Sequence, residues 1–209
     1  MRATDIGGEL KITTSNASVH AATIRSSAQV TTSFGSVELR DISGDAAVTD
    51  ENGGVSAENV KGSFTVHSRF GLVKGENIGG AVDVDNASSG VTLSAVGGNA
   101  RVRTSFGSVF LKGIGGAIDV TNQSGAVAVS DLGGERCHDI AVRTTFSSIK
   151  VALPAKAGYN VNARTSFGHV SSAMPIATTR ATGESIAGTL RGGGCKLELT
   201  NSSGNISIE

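Results

Sequence analysis

Valine returns every 18 residues for most of this chain: Val19, Val37, Val55, Val73, Val91, Val109 and Val127 form an unbroken series. A second column keeps the same step through Ile6, Ile24, Ile42, Val60, Ile78, Val96, Ile114 and Leu132. A third runs Ile12, Val30, Val48, Val66, Val84, Val102 and Val120. Glycine recurs in phase at Gly44, Gly62, Gly80, Gly98, Gly116 and Gly134. Several registered columns at one fixed period mark a stacked-repeat architecture, in which each unit is too thin to bury its own apolar face and the stack buries it instead.

Within one repeat, apolar and polar residues alternate. Val37 and Leu39 share a face, as do Ala46 and Val48. A period of two among β-branched residues predicts short strands with one face buried. The Gly-Gly and Ser-Gly pairs between them supply corners. No useful length carries apolar residues at helical spacing. The expected fold is all-β: a single-stranded β-solenoid (β-helix) with 18-residue rungs, about three short strands per rung, and residues 1–209 as one domain. Rungs stack about 4.8 Å apart, so roughly ten of them predict a rod on the order of 50 Å long.

A 36-residue period overlies the first. Phe34, Phe70 and Phe106 occupy one column in alternate rungs, and Asn52, Ser88 and Ser124 stand there in the rungs between. A ring above a small side chain is expected to fill a tight corner without overpacking it. Two residues earlier runs a small polar column, Thr14, Thr32, Asp50, Ser68, Asn86, Thr104, Asn122 and Thr144. It is expected to satisfy the backbone groups of a stacked corner.

The phase slips at three places, read as loop insertions near 134–140, 154–160 and 176–194. After the third, the pattern resumes at Leu197, Leu199, Ile206 and Ile208. Loops carried on a rigid scaffold are where specificity is expected.

Composition narrows the function. Lys plus Arg and Asp plus Glu both number 18, a neutral balance that argues against a nucleic-acid partner, whose phosphates need a basic face. No apolar run reaches the ~20 residues of a transmembrane helix. Met1–Leu10 contains no apolar export segment. Cys137 and Cys195 are too few for a disulfide framework; they either pair in an oxidising compartment or remain free thiols.

The run Thr104-Ser105-Phe106-Gly107-Ser108-Val109 and its copies resemble the repeats of the bacterial adhesin family of β-strand-repeat proteins, a domain of unknown function. The sequence from Val151-Ala152-Leu153-Pro154-Ala155 through Thr165-Ser166-Phe167-Gly168 resembles that family's closing section. So does Gly192-Gly193-Gly194-Cys195-Lys196-Leu197-Glu198-Leu199, followed by Ser202-Ser203-Gly204-Asn205-Ile206. The resemblance covers nearly the whole chain. It implies a solenoid of exported or envelope-linked bacterial proteins, placed in the cell envelope or outside the cell, with a cytoplasmic location as the alternative.

Chemistry-bearing clusters are scarce. Cys137-His138-Asp139 with Cys195 is the one candidate metal set, and an exposed loop with two unrelated thiols is the preferred reading of it. The other histidines, His20, His67 and His169, are scattered. Asp83, Arg101 and Asp119 form an outward column with Asp85 and Arg103 beside it. Their alternating sign is read as cross-rung ion pairing rather than as the clustered carboxylates of a polysaccharide-cleaving enzyme. The expectation is therefore a non-enzymatic interaction module with no catalytic residues and no cofactor. Its expected partner is a protein or glycan of the cell envelope. The alternatives are a cytoplasmic scaffold that polymerises end to end and, ranked lower, a carbohydrate-active β-helix enzyme.

Overall fold

The computed structural model describes residues 1–132 and 136–209, and these contain strands and turns but no helix. Gly134 and Glu135, part of the expected 134–140 insertion, lie outside the described residues. No helix among the described residues is long and apolar enough to cross a membrane. The chain is a β-solenoid whose successive coils pair in parallel with an 18-residue offset, such as Val37 opposite Val55 and Val48 opposite Val66.

Each regular coil contributes two strands. In chain order the coils are β1 (Arg2–Ile6) with β2 (Leu10–Thr13), β3 (Val19–Ile24) with β4 (Ala28–Phe34), β5 (Val37–Ile42) with β6 (Ala46–Asn52), and β7 (Val55–Val60) with β8 (Phe64–Phe70). They continue as β9 (Val73–Ile78) with β10 (Val82–Ser88), β11 (Val91–Val96) with β12 (Ala100–Phe106), β13 (Val109–Ile114) with β14 (Ile118–Ser124), and β15 (Val127–Ser130) with β16 (Ile140–Phe146). The last part holds β17 (Ile149–Val151), β18 (Tyr159–Phe167), β19 (Val170–Ser172), β20 (Ile176–Ala181), β21 (Ser185–Leu190), β22 (Cys195–Ser203) and β23 (Ile206–Ile208). Odd-numbered strands up to β19, joined by β23, make an 11-stranded sheet; the others make a 12-stranded sheet.

Two strands per coil replace the expected three, and the backbone gives the reason. In β5 the inward residues are Val37, Leu39 and Ile42, so the alternation skips a position. The skipped residue, Asp41, has a left-handed φ of 54°. That conformation kinks the strand and turns Ile42 inward, so the column of Ile6, Ile24 and Ile42 ends the first strand instead of forming its own. Asp5, Thr23, Asn59, Asn77, Ala95, Gly113 and Asp131 sit at the same place in other coils, all with positive φ. Asn, Asp and Gly bear this conformation best. Their side chains also stack: Asn59 Nδ2 donates to Asp41 Oδ1 at 2.9 Å and Asn77 Nδ2 to Asn59 Oδ1 at 2.8 Å.

The core is a continuous stack of Val, Ile, Leu and Ala between the two sheets. Size is compensated across it at one level. Phe64 is fully buried, and Gly75 opposite leaves it room: a Cβ on Gly75 would meet Leu93 Cδ2 at 2.9 Å and Phe64 Cδ1 at 3.4 Å.

The polar corner column is buried as expected. Thr32, Asp50, Ser68, Asn86, Thr104, Asn122, Thr144, Thr165 and Asn201 are each under a tenth exposed. Asn122 shows the mechanism. Its Nδ2 donates to Gly107 O (2.9 Å) in the coil below and to Gly125 O (3.0 Å) in its own, and its Oδ1 accepts from Ser124 N (3.2 Å). One Asn thus satisfies carbonyls of two coils, so the neighbouring coils need only a short hydroxyl. Thr104 and Thr144 donate to the carbonyls of Phe106 and Phe146.

The phenylalanine column departs from expectation. Phe34, Phe70, Phe106, Phe146 and Phe167 do not fill a corner; they are 52 to 77 % exposed and stand along the outer edge of the solenoid. The corner interior belongs to the Thr/Asn column; alternation would carry the residue two places on inward as well, but the strand ends there at a bend marked by left-handed Gly35, Gly71 and Gly107, and the ring is left outside.

At the far end, spatial order departs from chain order. After β17 the chain does not occupy the next layer. The strands β22 and β23 return to fill it, between β16/β17 on one side and β18/β19 on the other. Leu197 lies opposite both Ile140 and Val161, and Ile206 opposite both Ile149 and Val170. The extra residues around Pro154 therefore carry the chain across a skipped layer. The stretch 176–194 is not an open loop: it is largely the antiparallel hairpin β20–β21, which covers β18.

Candidate functional site

Charged residues gather on the outer face of the 12-stranded sheet, near the starts of β10, β12, β14, β16 and β22. There a groove of about 620 Å³ is bordered by Asp83, Arg101, Asp119, Arg143, Lys196 and Glu198. Its existence follows from side-chain size. Parallel register places Asp83, Arg101, Asp119, Ala141 and Glu198 in one outward column. Ala141 interrupts the long side chains, and Ala81 and Ala117 keep the neighbouring wall low.

The ion pairs of this face are loose. Asp119 lies 3.7 Å from Arg101 Nε and 3.7 Å from Arg143 Nη1, and Arg143 Nη2 lies 3.6 Å from Glu198. Arg143 thus bridges two carboxylates across the gap at Ala141. Pairs this exposed contribute only ~0–1 kcal/mol each. Asp119 Oδ1 is shielded from solvent yet has no hydrogen-bond donor.

One end of the groove is braced. Cys137 and Cys195 form a disulfide with a Cα–Cα distance of 5.7 Å, joining the segment after β15 to the start of β22. Cys195 N donates to Cys137 Sγ (3.2 Å), and Lys196 N donates to Asp139 Oδ1 (2.8 Å). The reading of two unrelated thiols is therefore corrected, and the bonded sulfurs are not metal ligands. Residues 58 apart in sequence are neighbours because β22 returns to the layer beside β16. Beneath this brace Tyr159, opposite Cys195, is fully buried, and burial pushes its phenol up from the usual value. Among the described residues no group of three His, Cys, Asp or Glu could hold a metal ion.

The columns read from the sequence are brought together in part. Asp83, Arg101 and Asp119 do share a column, and Asp85 and Arg103 are register partners beside it. The pairing of Arg101 with Asp119 agrees with the cross-rung reading. Arg143, Lys196 and Glu198 escaped the sequence reading. Glu198 reaches the column only through the returning strand, and a stacking order taken from sequence order cannot place it there.

The other face is also charged, but its groups satisfy one another. Glu38 accepts from His20 Nδ1 (2.9 Å) and pairs with Arg40 Nε (2.8 Å), which also lies 3.6 Å from Glu58. The His20 hydrogen bond and the Arg40 charge hold the Glu38 carboxyl below its ordinary range.

No curated protein and no solved structure is significantly similar to this chain. A family profile matches residues 3–209, almost the whole solenoid together with its returning strand. The chain belongs to the Toastrack DUF4097 family, a domain family of unknown function.

Proposed function

We propose that the chain is a non-enzymatic interaction module of the cell envelope or the extracellular space, and that the braced groove binds a polar ligand carrying both charges. The observation that carries this reading is the Arg143 bridge, one guanidinium held loosely between Asp119 and Glu198 at 3.7 and 3.6 Å, too long for hydrogen bonds, beside the open slot at Ala141. A glycan with amino and carboxyl substituents, or a zwitterionic protein segment, matches that lining. Both groove carboxylates near Ala141 lie beside the same arginine, an arrangement suited to holding a ligand more than to moving a proton. The Cys137–Cys195 disulfide supports an oxidising compartment, where such bonds persist.

Titration of the isotope-labelled chain with soluble muropeptides and amino-sugar oligomers, followed by NMR, tests the reading. Shifts should cluster at Arg101, Asp119, Arg143 and Glu198 and vanish in Arg143→Ala. Shifts confined to the turns of the β20–β21 hairpin, or none at millimolar ligand, would refute it.

End-to-end polymerisation is the second reading. At one end β1 and β2 are the edge strands of the two sheets, and such edges can template a further coil. At the other end the antiparallel β20–β21 hairpin covers β18, which disfavours parallel addition there and makes this reading the weaker.

A further inference from the structure

The exposed phenylalanines raise a question that the fold does not answer. Of seven phenylalanines, only Phe64 is buried. Five of the exposed ones share one register column, with small polar residues between them. Register, with the β8–β10 offset of 18 residues carried on from Ser68–Asn86 to Phe70–Ser88, gives the spatial sequence Phe34, Asn52, Phe70, Ser88, Phe106, Ser124, Phe146, Ser203 and Phe167. Along the chain the alternation fails, because Phe146 and Phe167 fall in consecutive repeats. In space it holds, because the returning β22 places Ser203 between them. Rings in alternate coils stand about 9.6 Å apart, twice the coil spacing. Each interval is an open slot floored by Asn or Ser.

We propose that this ridge is a dimerisation surface that takes a second, antiparallel copy of the same chain, rings of one copy entering the slots of the other. Interdigitated rings would then follow one another at about 4.8 Å along the ridge, within the ~4.5–7 Å favoured by aromatic pairs. The area is adequate. At about 200 Å² per ring, five rings exposed by 52 to 77 % offer roughly 600 Å². Leu72, half exposed beside Phe70, adds to this. A stable interface needs about 800 Å² per partner, which the rings, Leu72 and the slot floors together approach.

Symmetry selects the antiparallel arrangement. A twofold axis along the rod brings identical coils together and sets ring against ring. A twofold axis across the rod can place Phe106 over Ser88 of the second copy, Phe70 over Ser124, Phe146 over Asn52, Phe34 over Ser203, and Phe167 at the level of exposed Asn16, 18 residues before Phe34. Such a contact is closed and isologous, so it yields a dimer and not a fibre. The flanking charges are compatible: Glu51 faces Thr145 of the second copy and Arg69 faces Gln123, so like charges do not meet. The ridge follows the ends of β4, β8, β12, β16 and β18, and the charged groove follows the starts of strands in the same sheet. The dimer therefore leaves the groove open and does not depend on its proposed role.

Sedimentation velocity of the whole chain from 1 µM to 1 mM is the test. A reversible dimer is expected. It should be lost in Phe70→Ser/Phe106→Ser and also in Ser88→Lys/Ser124→Lys, which keeps every ring and blocks two slots. Circular dichroism and a melting curve that match the parent would show that the slot variant is folded. A chain that stays monomeric at 1 mM overturns the proposal, and ridge signals that shift with cellohexaose would then assign the rings to a glycan. A dimer or filament that survives in the folded slot variant overturns it as well.

Discussion

Asp50 is the one acid in the buried Thr/Asn column, and replacing it with Asn should stabilise the protein. Its position alternates in space with Thr32 and Ser68, as Asn86, Asn122 and Asn201 alternate with their hydroxyl neighbours. Those asparagines each donate Nδ2 to corner carbonyls, Asn201 to Ser147 O at 2.7 Å for example. Asp50 has no donor when ionised. Its Oδ1 accepts from Asn52 N (3.3 Å), whereas its Oδ2 has no partner. Gly35 O lies in the same small space: a Cβ on Gly53 would collide with Gly35 O and lie 2.6 Å from Asp50 Oδ2. Burial raises the Asp50 pKa, and the amide hydrogen bonds of Asn52 and Glu51 offset this only in part. Removing an unsatisfied buried acceptor is worth ~1–3 kcal/mol, and each hydrogen bond gained ~0.5–1.5. Asp50→Asn should therefore raise stability at pH 7 by about 1–3 kcal/mol. The sign of the pH dependence follows from linkage. The folded pKa lies above the unfolded value of about 3.9, so folding takes up a proton between the two. The parent gains stability as pH falls through the folded pKa, and the gain is complete below the unfolded one. The Asn variant lacks this term, so its advantage should be full at pH 7 and shrink toward pH 4. Equilibrium urea unfolding of both proteins at pH 7 and pH 4 measures the difference. A variant less stable than the parent at pH 7, or an advantage that grows on acidification, would refute the reasoning.

Two further substitutions separate buried from exposed rings. Phe64→Ala should cost ~3–5 kcal/mol by emptying the core opposite Gly75, while Phe70→Ala, half exposed, should cost under about 1 kcal/mol in the monomer; chemical denaturation at low protein concentration distinguishes them. The disulfide closes a loop between residues 58 apart, so chain entropy assigns it on the order of 4 kcal/mol. Cys137→Ser/Cys195→Ser, or the reduced parent, should unfold at correspondingly lower denaturant, and equal midpoints with and without reductant would show that the bond adds nothing.

The 18-residue columns determined a great deal without any coordinates. They specify an all-β solenoid, its core residues, its offset of one coil and its polar corner, because stacking identical rungs leaves each residue type one place to go. The column Asp83, Arg101 and Asp119 was legible for the same reason. Strand count was not, because it depends on a left-handed residue such as Asp41 that kinks one strand without changing the apolar pattern. The exposure of Phe34, Phe70 and Phe106 was not legible either, since a two-coil period fits an inner and an outer corner equally well.

The arrangement at the far end was decided by tertiary structure alone. Leu197 and Ile206 carry the same periodic signal as any other coil, and that signal states a phase but not a layer. Layer choice depends on which exposed edge the returning segment meets, and β22 pairs between β16 and β18. That single choice brings Cys195 to Cys137, adds Glu198 to the charged column and restores the alternation of the phenylalanine ridge. Sequence periodicity fixes what a coil looks like; only long-range strand pairing fixes the order in which coils are stacked.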